Sequence, residues 1–190
     1  MIFMMLMAKP TQNPVIEEKE MFYAIQTTPA KEQETKVMIE NLIAKDLYTR
    51  CFILTRDMRK KFGGQWITVK EKLFPGYIFV ETDMVLELYL SARKVPMLTK
   101  FLGREDEAVI ALNEKESKWM SKLIAAGEEV PVSEIDIEEG NKVQIQTDPL
   151  AALEGYVKKI DLHKRRAEVE VEFMGEKRVF YLGIEFVRKV

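Results

Sequence analysis

The sequence predicts two domains: an α+β domain built on an antiparallel sheet with helices, followed by a small all-β barrel. Three observations carry this. At Lys72–Thr82 a Pro75-Gly76 turn feeds Tyr77-Ile78-Phe79-Val80, four β-prone residues that read as a strand covered on both faces, with helical patterns before and after it. At Glu128–Glu139 six acidic residues and one proline occur with no basic residue and no sustained period, the composition of a linker. Beyond it Ala167, Val169, Val171 and Phe173 alternate strictly with Glu168, Glu170 and Glu172, the period of a half-buried strand.

In chain order, Met1–Ala8 is almost wholly apolar. No basic residue precedes it, and Lys9-Pro10 stops it too early for a signal peptide or a membrane span. Residues 1–20 read as a flexible extension or an over-long start. Phe22 to Gln26 reads as the first strand. Thr28 as N-cap and Pro29 at the first helical position open a helix to about Lys45, with Val37, Met38, Leu42 and Ile43 as its buried face. Phe52-Ile53-Leu54 is a short strand. The basic run Arg56 to Lys61 leads to a Gly63-Gly64 hairpin turn, from which Trp66 to Val69 returns. That run reads either as a solvated hairpin or as a positive loop near nucleic acid. A helix over Met84–Val95 precedes Phe101-Leu102-Gly103, a short strand. Asn113 and Glu116 form a capping box opening a helix with Trp119, Met120, Leu123 and Ile124 inward and Gly127 at its end. The domain bounds are therefore 21–127, a linker at 128–138 and a barrel at 139–190. The five barrel strands are those of Val143 and Ile145, Tyr156–Ile160, Ala167–Phe173, Arg178–Leu182 and Ile184–Val187. Independent domains would be nicked first near Val130–Ile135.

Composition narrows the function. The chain has 190 residues, 47% of them hydrophobic, and a net charge of −2, so any nucleic-acid binding must come from local clusters. One Cys (Cys51) and one His (His163) allow neither an intramolecular disulfide nor a Cys/His metal site, and no phosphate-loop, dinucleotide or nucleophile-elbow motif occurs. No catalytic residue, metal or cofactor is expected, and the chain reads as cytoplasmic, monomeric and off the membrane. Leu73 and Phe74 stand beside Lys70 and Lys72 at the entry to the central strand, where large apolar groups suggest a patch for a protein partner. The alternative is a core strand and nothing more.

Four stretches carry a resemblance. The first is Phe74-Pro75-Gly76-Tyr77 before a hydrophobic strand. FYAIQTTPAKEQETKV at 22–37 and ARKVPMLTKFLG at 92–103 are the second and third, and GNKVQIQTDPLAALEGYVKKID at 140–161 the fourth, with Gly155 at the motif's glycine position. In this order they resemble the NusG family of transcription elongation factors, the last resembling its KOW motif. The resemblance implies an N-terminal NGN domain docking on the clamp helices of the largest subunit of bacterial RNA polymerase, through Tyr23, Leu73, Phe74, Pro75, Gly76, Tyr77 and Phe101, and an SH3-like KOW barrel. One departure stands out: Asp148-Pro149-Leu150-Ala151-Ala152 replaces the family's Gly-Pro-Phe-x-Gly. With RDMRKKFGGQW at 56–66, KVPMLTKFLG at 94–103 and the basic barrel rim, it makes the chain similar to the LoaP group of specialised antiterminators, whose KOW domain binds an RNA hairpin in the nascent leader. Lys142, Lys158, Lys159, His163, Lys164, Arg165 and Arg166 are expected on one barrel rim as the RNA surface, with Lys177 roughly 20 Å away at ~3.3 Å per residue. The other readings are basic turns kept for solubility, a general NusG contacting Rho or a ribosomal protein, and a ribosomal KOW protein, against which the pI of about 5.7 speaks.

Overall fold

A computed structural model describes residues 21–96, 98–101, 109–125, 127–138 and 142–189. The expectations for residues 1–20 and for Leu102-Gly103 lie outside these residues.

Four strands form the first sheet: β1 (Phe22–Thr27), β2 (Arg50–Phe52), β5 (Tyr77–Glu81) and β6 (Leu98–Phe101), in the order β2-β5-β1-β6. The pairings β1–β5, β1–β6 and β2–β5 are all antiparallel. The Tyr77–Val80 segment is thus central, as its unbroken β-prone run requires. Alternation divides its neighbours between two cores. Tyr23, Ile25, Ile78 and Val80 face α1 (Glu32–Leu42) and α2 (Val85–Ala92), while Phe22, Ala24 and Phe79 face α3 (Glu114–Ile124). The α3 capping box forms as read: the Asn113 side chain accepts from Glu116 N–H, and the Glu116 carboxylate accepts from Asn113 N–H.

Helix α1 departs from expectation. It starts at Glu32 with Lys31 as N-cap, because Ala30 sits at φ 67°, which no helix accommodates, so Thr28 and Pro29 belong to a turn. Its buried stripe is Glu32, Thr35, Ile39 and the following Ile43, while Val37 and Leu42 are exposed. Two polar residues on that stripe hid the true face from a hydrophobic-period reading.

Strands β3 (Thr55–Phe62) and β4 (Gln65–Lys72) make the Gly63-Gly64 hairpin. The 128–138 segment, expected as a linker, is largely strand. β7 (Glu129–Val130) pairs parallel with β3, and β8 (Ser133–Glu138) pairs with both β9 (Lys142–Ile145) and β12 (Glu176–Lys189). Val130, Ser133, Ile135 and Ile137 are buried, so an inward stripe was present beneath the acidic composition. With β10 (Val157–Asp161) and β11 (Arg166–Phe173), the second sheet runs β10-β11-β12-β8-β9. The two closing strands expected on either side of Gly183 are one strand, β12, and β8 supplies the fifth place.

The barrel interior and one face of the first sheet share a single core. Phe22, Phe52, Phe74, Phe79 and Trp119 belong to the same cluster as Val169, Phe173, Phe180 and Leu182. The two domains are packed together. Cys51 lies in the other core, and burial pushes its thiol up to about 12. It should resist iodoacetamide at pH 8 until the chain unfolds, which mass spectrometry along a urea series would show.

Candidate functional site

The Phe74-Pro75-Gly76-Tyr77 turn is held from two sides. Tyr77 N–H donates to Phe74 O at 3.2 Å, Thr27 N–H donates to Gly76 O at 2.9 Å, and Gly76 takes φ 84°. A Cβ there would come no closer than 3.8 Å to Thr27 O, so the glycine is required by conformation rather than by space. From the other side Glu32, fully buried in the first turn of α1, accepts from Gly76 N–H at 2.6 Å and from the Lys72 ammonium at 2.5 Å. Burial alone would raise the Glu32 carboxyl. The Lys72 ammonium and Gly76 N–H overcome that and hold it below the ordinary carboxylate value.

The turn projects Phe74 into a ring cluster drawn from both domains. Its centroid lies 5.6 Å from Phe79 and 5.8 Å from Trp119, and 5.4 and 5.6 Å from Phe173 and Phe180 of the barrel. Tyr77 meets Phe173 edge-on at 5.7 Å. Leu73, Phe74 and Tyr77 therefore share one apolar face, with Pro75 exposed at its edge and Gly76 buried behind. Tyr23 and Phe101 do not join them. One-residue alternation puts them on the opposite side of the sheet, where Phe101 packs on Tyr89 at 5.6 Å. The expectation of one exposed five-side-chain surface is corrected: Tyr23 and Phe101 lie on the other face, and Leu73 and Phe74, 5% and 7% exposed, are buried in the shared core with Tyr77 packed against it.

Directional bonds frame this contact. The Trp119 indole N–H donates to Glu172 O at 3.1 Å, and Met174 N–H donates to the same Glu116 that closes the α3 capping box, at 2.6 Å. Lys122 reaches Ala152 O at 2.7 Å, and Arg56 donates to Tyr181 O at 2.5 Å. Where β12 crosses β3, Gly183 leaves no room for a side chain: a Cβ would lie 2.5 Å from Asp57 O. A glycine inside a strand pattern is the sequence signal for such an approach.

The basic hairpin is largely neutralised. Glu71 pairs with Arg56 at 3.2 Å and Lys60 at 2.6 Å, and their bonds, Lys60 first, hold its carboxyl below the ordinary value. Arg59 pairs with Glu185 of the barrel at 2.7 Å. At the tip Lys61 and Phe62 are exposed.

The expected RNA rim is divided. Lys158, Lys159, His163 and Lys164 are exposed on β10 and the turn after it. Arg166 lies half-buried over the Tyr181 ring at 4.0 Å. Arg165 turns toward the N-terminal domain, with its guanidinium 4.5 Å from the centre of the Trp66 ring. Lys142 does not pair beside Lys158: β9 and β10 end opposite edges of the sheet order, because β8 takes the place beside β9. Lys177 is not remote either. It and Lys158 reach the same Glu170 Oε1, at 3.3 and 3.5 Å, because β11 pairs with both of their strands.

Among the described residues no group of three or more His, Cys, Asp or Glu could hold a metal, and no helix is long and apolar enough to cross a membrane. The fold and its apolar turn define a two-domain protein, a helix-covered antiparallel sheet joined to a small barrel. A family model described as "Transcription termination factor nusG" matches residues 20–121. The chain belongs to the NusG family and is a transcription termination/antitermination factor of that family. It is 27% identical to the NusG of Escherichia coli K12 over 146 residues, 76% of this chain and 80% of that one. With the Neisseria meningitidis NusG it shares 20% identity over 173 residues, 89% and 97% of the two chains. Among solved structures, one titled "Domain interaction in Thermotoga maritima NusG" matches at TM-score 0.55 and 27% identity, covering 87% of this chain and 94% of that one.

Proposed function

We propose that this chain is a specialised antiterminator of the LoaP type, acting by binding rather than catalysis. Its N-terminal domain grips RNA polymerase at the clamp helices through Leu73, Phe74 and Tyr77, its barrel holds an RNA hairpin in the nascent leader, and selected operons are read through. The observation that carries this reading is the apolar face around Phe74. It is presented by the N-terminal turn and completed by Phe173 and Phe180 of the barrel, so displacing the barrel would offer its aromatic anchors to a partner. In the closed form that face is covered, so polymerase binding requires the domains to part. The exposed Lys158, Lys159, His163 and Lys164 supply the phosphate-facing charge.

Single-round transcription with purified RNA polymerase tests the reading, using templates that carry an intrinsic terminator with or without an upstream leader hairpin. Readthrough should rise at least several-fold with the full chain, and only on hairpin-bearing templates. Equal readthrough on both templates would favour a general NusG role, and failure to associate with polymerase would overturn the proposal.

A further inference from the structure

We propose that two copies of this chain pair through α2, in an antiparallel two-fold contact that seats Leu86 of each copy against Leu90 of the other. The contact lies on the side of the first sheet away from Phe74, so it depends on neither the polymerase nor the RNA reading. It departs from the monomer expected from the sequence.

Large apolar side chains in solvent are concentrated on the helical layer that covers this side of the sheet. Val37 and Leu42 of α1 are exposed, as are Met84, Leu86 and Leu90 at α2. Elsewhere among the described residues only Phe62, Ile67, Val179 and Val187 are. Leu86 and Leu90 are the most exposed of the helical set, at 62% and 59%. They stand one turn apart on α2, while Leu88 and Ala92 of the same helix are buried against the sheet. The helix is therefore apolar on its inner and its outer face, the pattern of a helix with a partner on each side. The inner partner is the sheet, and among the described residues no element covers the outer face.

The charges around the two leucines identify the outer partner. Asp83 and Glu87 lie toward the N-terminal end of α2, and Arg93 and Lys94 follow its C-terminal end. All four are exposed, and among the described residues none of them is in an ion pair. A helix acidic at one end and basic at the other complements a reversed copy of itself. In an antiparallel pair centred on Leu88, Leu86 meets Leu90 and Asp83 meets Arg93, and the two-fold axis makes each of these contacts twice. The positive end of each helix dipole then lies beside the negative end of the other. A parallel pair would instead set Asp83 against Asp83 and Arg93 against Arg93. A contact built on one short helix falls at the small end of specific interfaces, so dissociation at roughly 10–100 µM is expected.

Sedimentation velocity of the full chain from about 2 to 500 µM, which brackets that dissociation, tests the proposal. The sedimentation coefficient should rise with concentration from the monomer value toward that of a dimer. Leu90→Glu should weaken association by about tenfold or more. It should leave the urea midpoint unchanged, because Leu90 is outside the core. Asp83→Arg and Arg93→Asp, each alone, set like charges against each other twice. At about 50 mM salt, where exposed pairs are least screened, each should stay monomeric at concentrations where the unaltered chain dimerises. Mixed in equal amounts the two variants should associate again, since each supplies the charge the other lacks. No recovery on mixing overturns the antiparallel register, and a chain that stays monomeric throughout overturns the proposal. So does association that Leu90→Glu leaves untouched, which would put the contact elsewhere. If removing residues 1–20 brings out association that the full chain lacks, the chain's own apolar start covers the face and the second copy does not.

Discussion

Phe74→Ala is expected to lower the stability of the full chain by about 3–5 kcal/mol, the range for truncating a buried aromatic side chain. The reason is its location among Phe79, Trp119, Phe173 and Phe180, four rings that a single truncation leaves unsupported. Because two of those rings come from each domain, part of the loss should appear as domain separation rather than as unfolding of either unit. Urea denaturation in a Trp66→Phe background, which leaves Trp119 as the one tryptophan, followed by emission and by far-UV circular dichroism tells these apart: emission should change at lower urea than ellipticity. If the same ring grips polymerase, the open variant should also bind polymerase poorly despite its uncovered face. Phe74→Leu, which keeps most of the volume, should recover much of the stability. Coincident transitions with no loss of stability would refute the account of the shared core.

Glu32→Ala should cost about 3 kcal/mol, the lower end for removing one partner of a buried ion pair, because Lys72 can still reach water. The pH dependence has a definite sign. The folded-state value of Glu32 lies below the ordinary 4.5, so its contribution is fully present above 4.5 and is lost as pH falls through the folded value. Glu71, depressed by Lys60 and Arg56, acts in the same direction. Urea midpoints measured from pH 7 down to pH 3 should therefore fall below about 4.5 in the unaltered chain. Glu32→Gln should flatten that fall. An equal slope in the Gln variant would show that Glu32 is not the titrating group.

Features set by local pattern were legible in the sequence. The capping box at Asn113 and Glu116, the Gly63-Gly64 hairpin, the central Tyr77–Val80 strand and the alternation of Ala167–Phe173 each depend on residues within a few positions of one another. Features set by juxtaposition were not. Glu32 looks like an ordinary acidic residue in a first helical turn until the Gly76 N–H is placed beside it. Arg165 reads as one more cation in a basic turn until Trp66 arrives from a hairpin about a hundred positions earlier. The acidic character of 128–138 concealed strand residues, because surface charge on one face dominates composition while alternation decides structure. Tyr23 and Phe101 were assigned by analogy of motif, and the one-residue pleat of the sheet put them on the other side.

Only Pro131 and Val132 separate β7, paired to the N-terminal hairpin, from β8 within the barrel sheet. A two-residue tether holds the barrel beside its docking face at a high effective concentration, on the order of millimolar or above. Rebinding is then a first-order event that dilution in the cell does not slow. Even an interface of modest intrinsic affinity therefore keeps the barrel in place on the N-terminal domain.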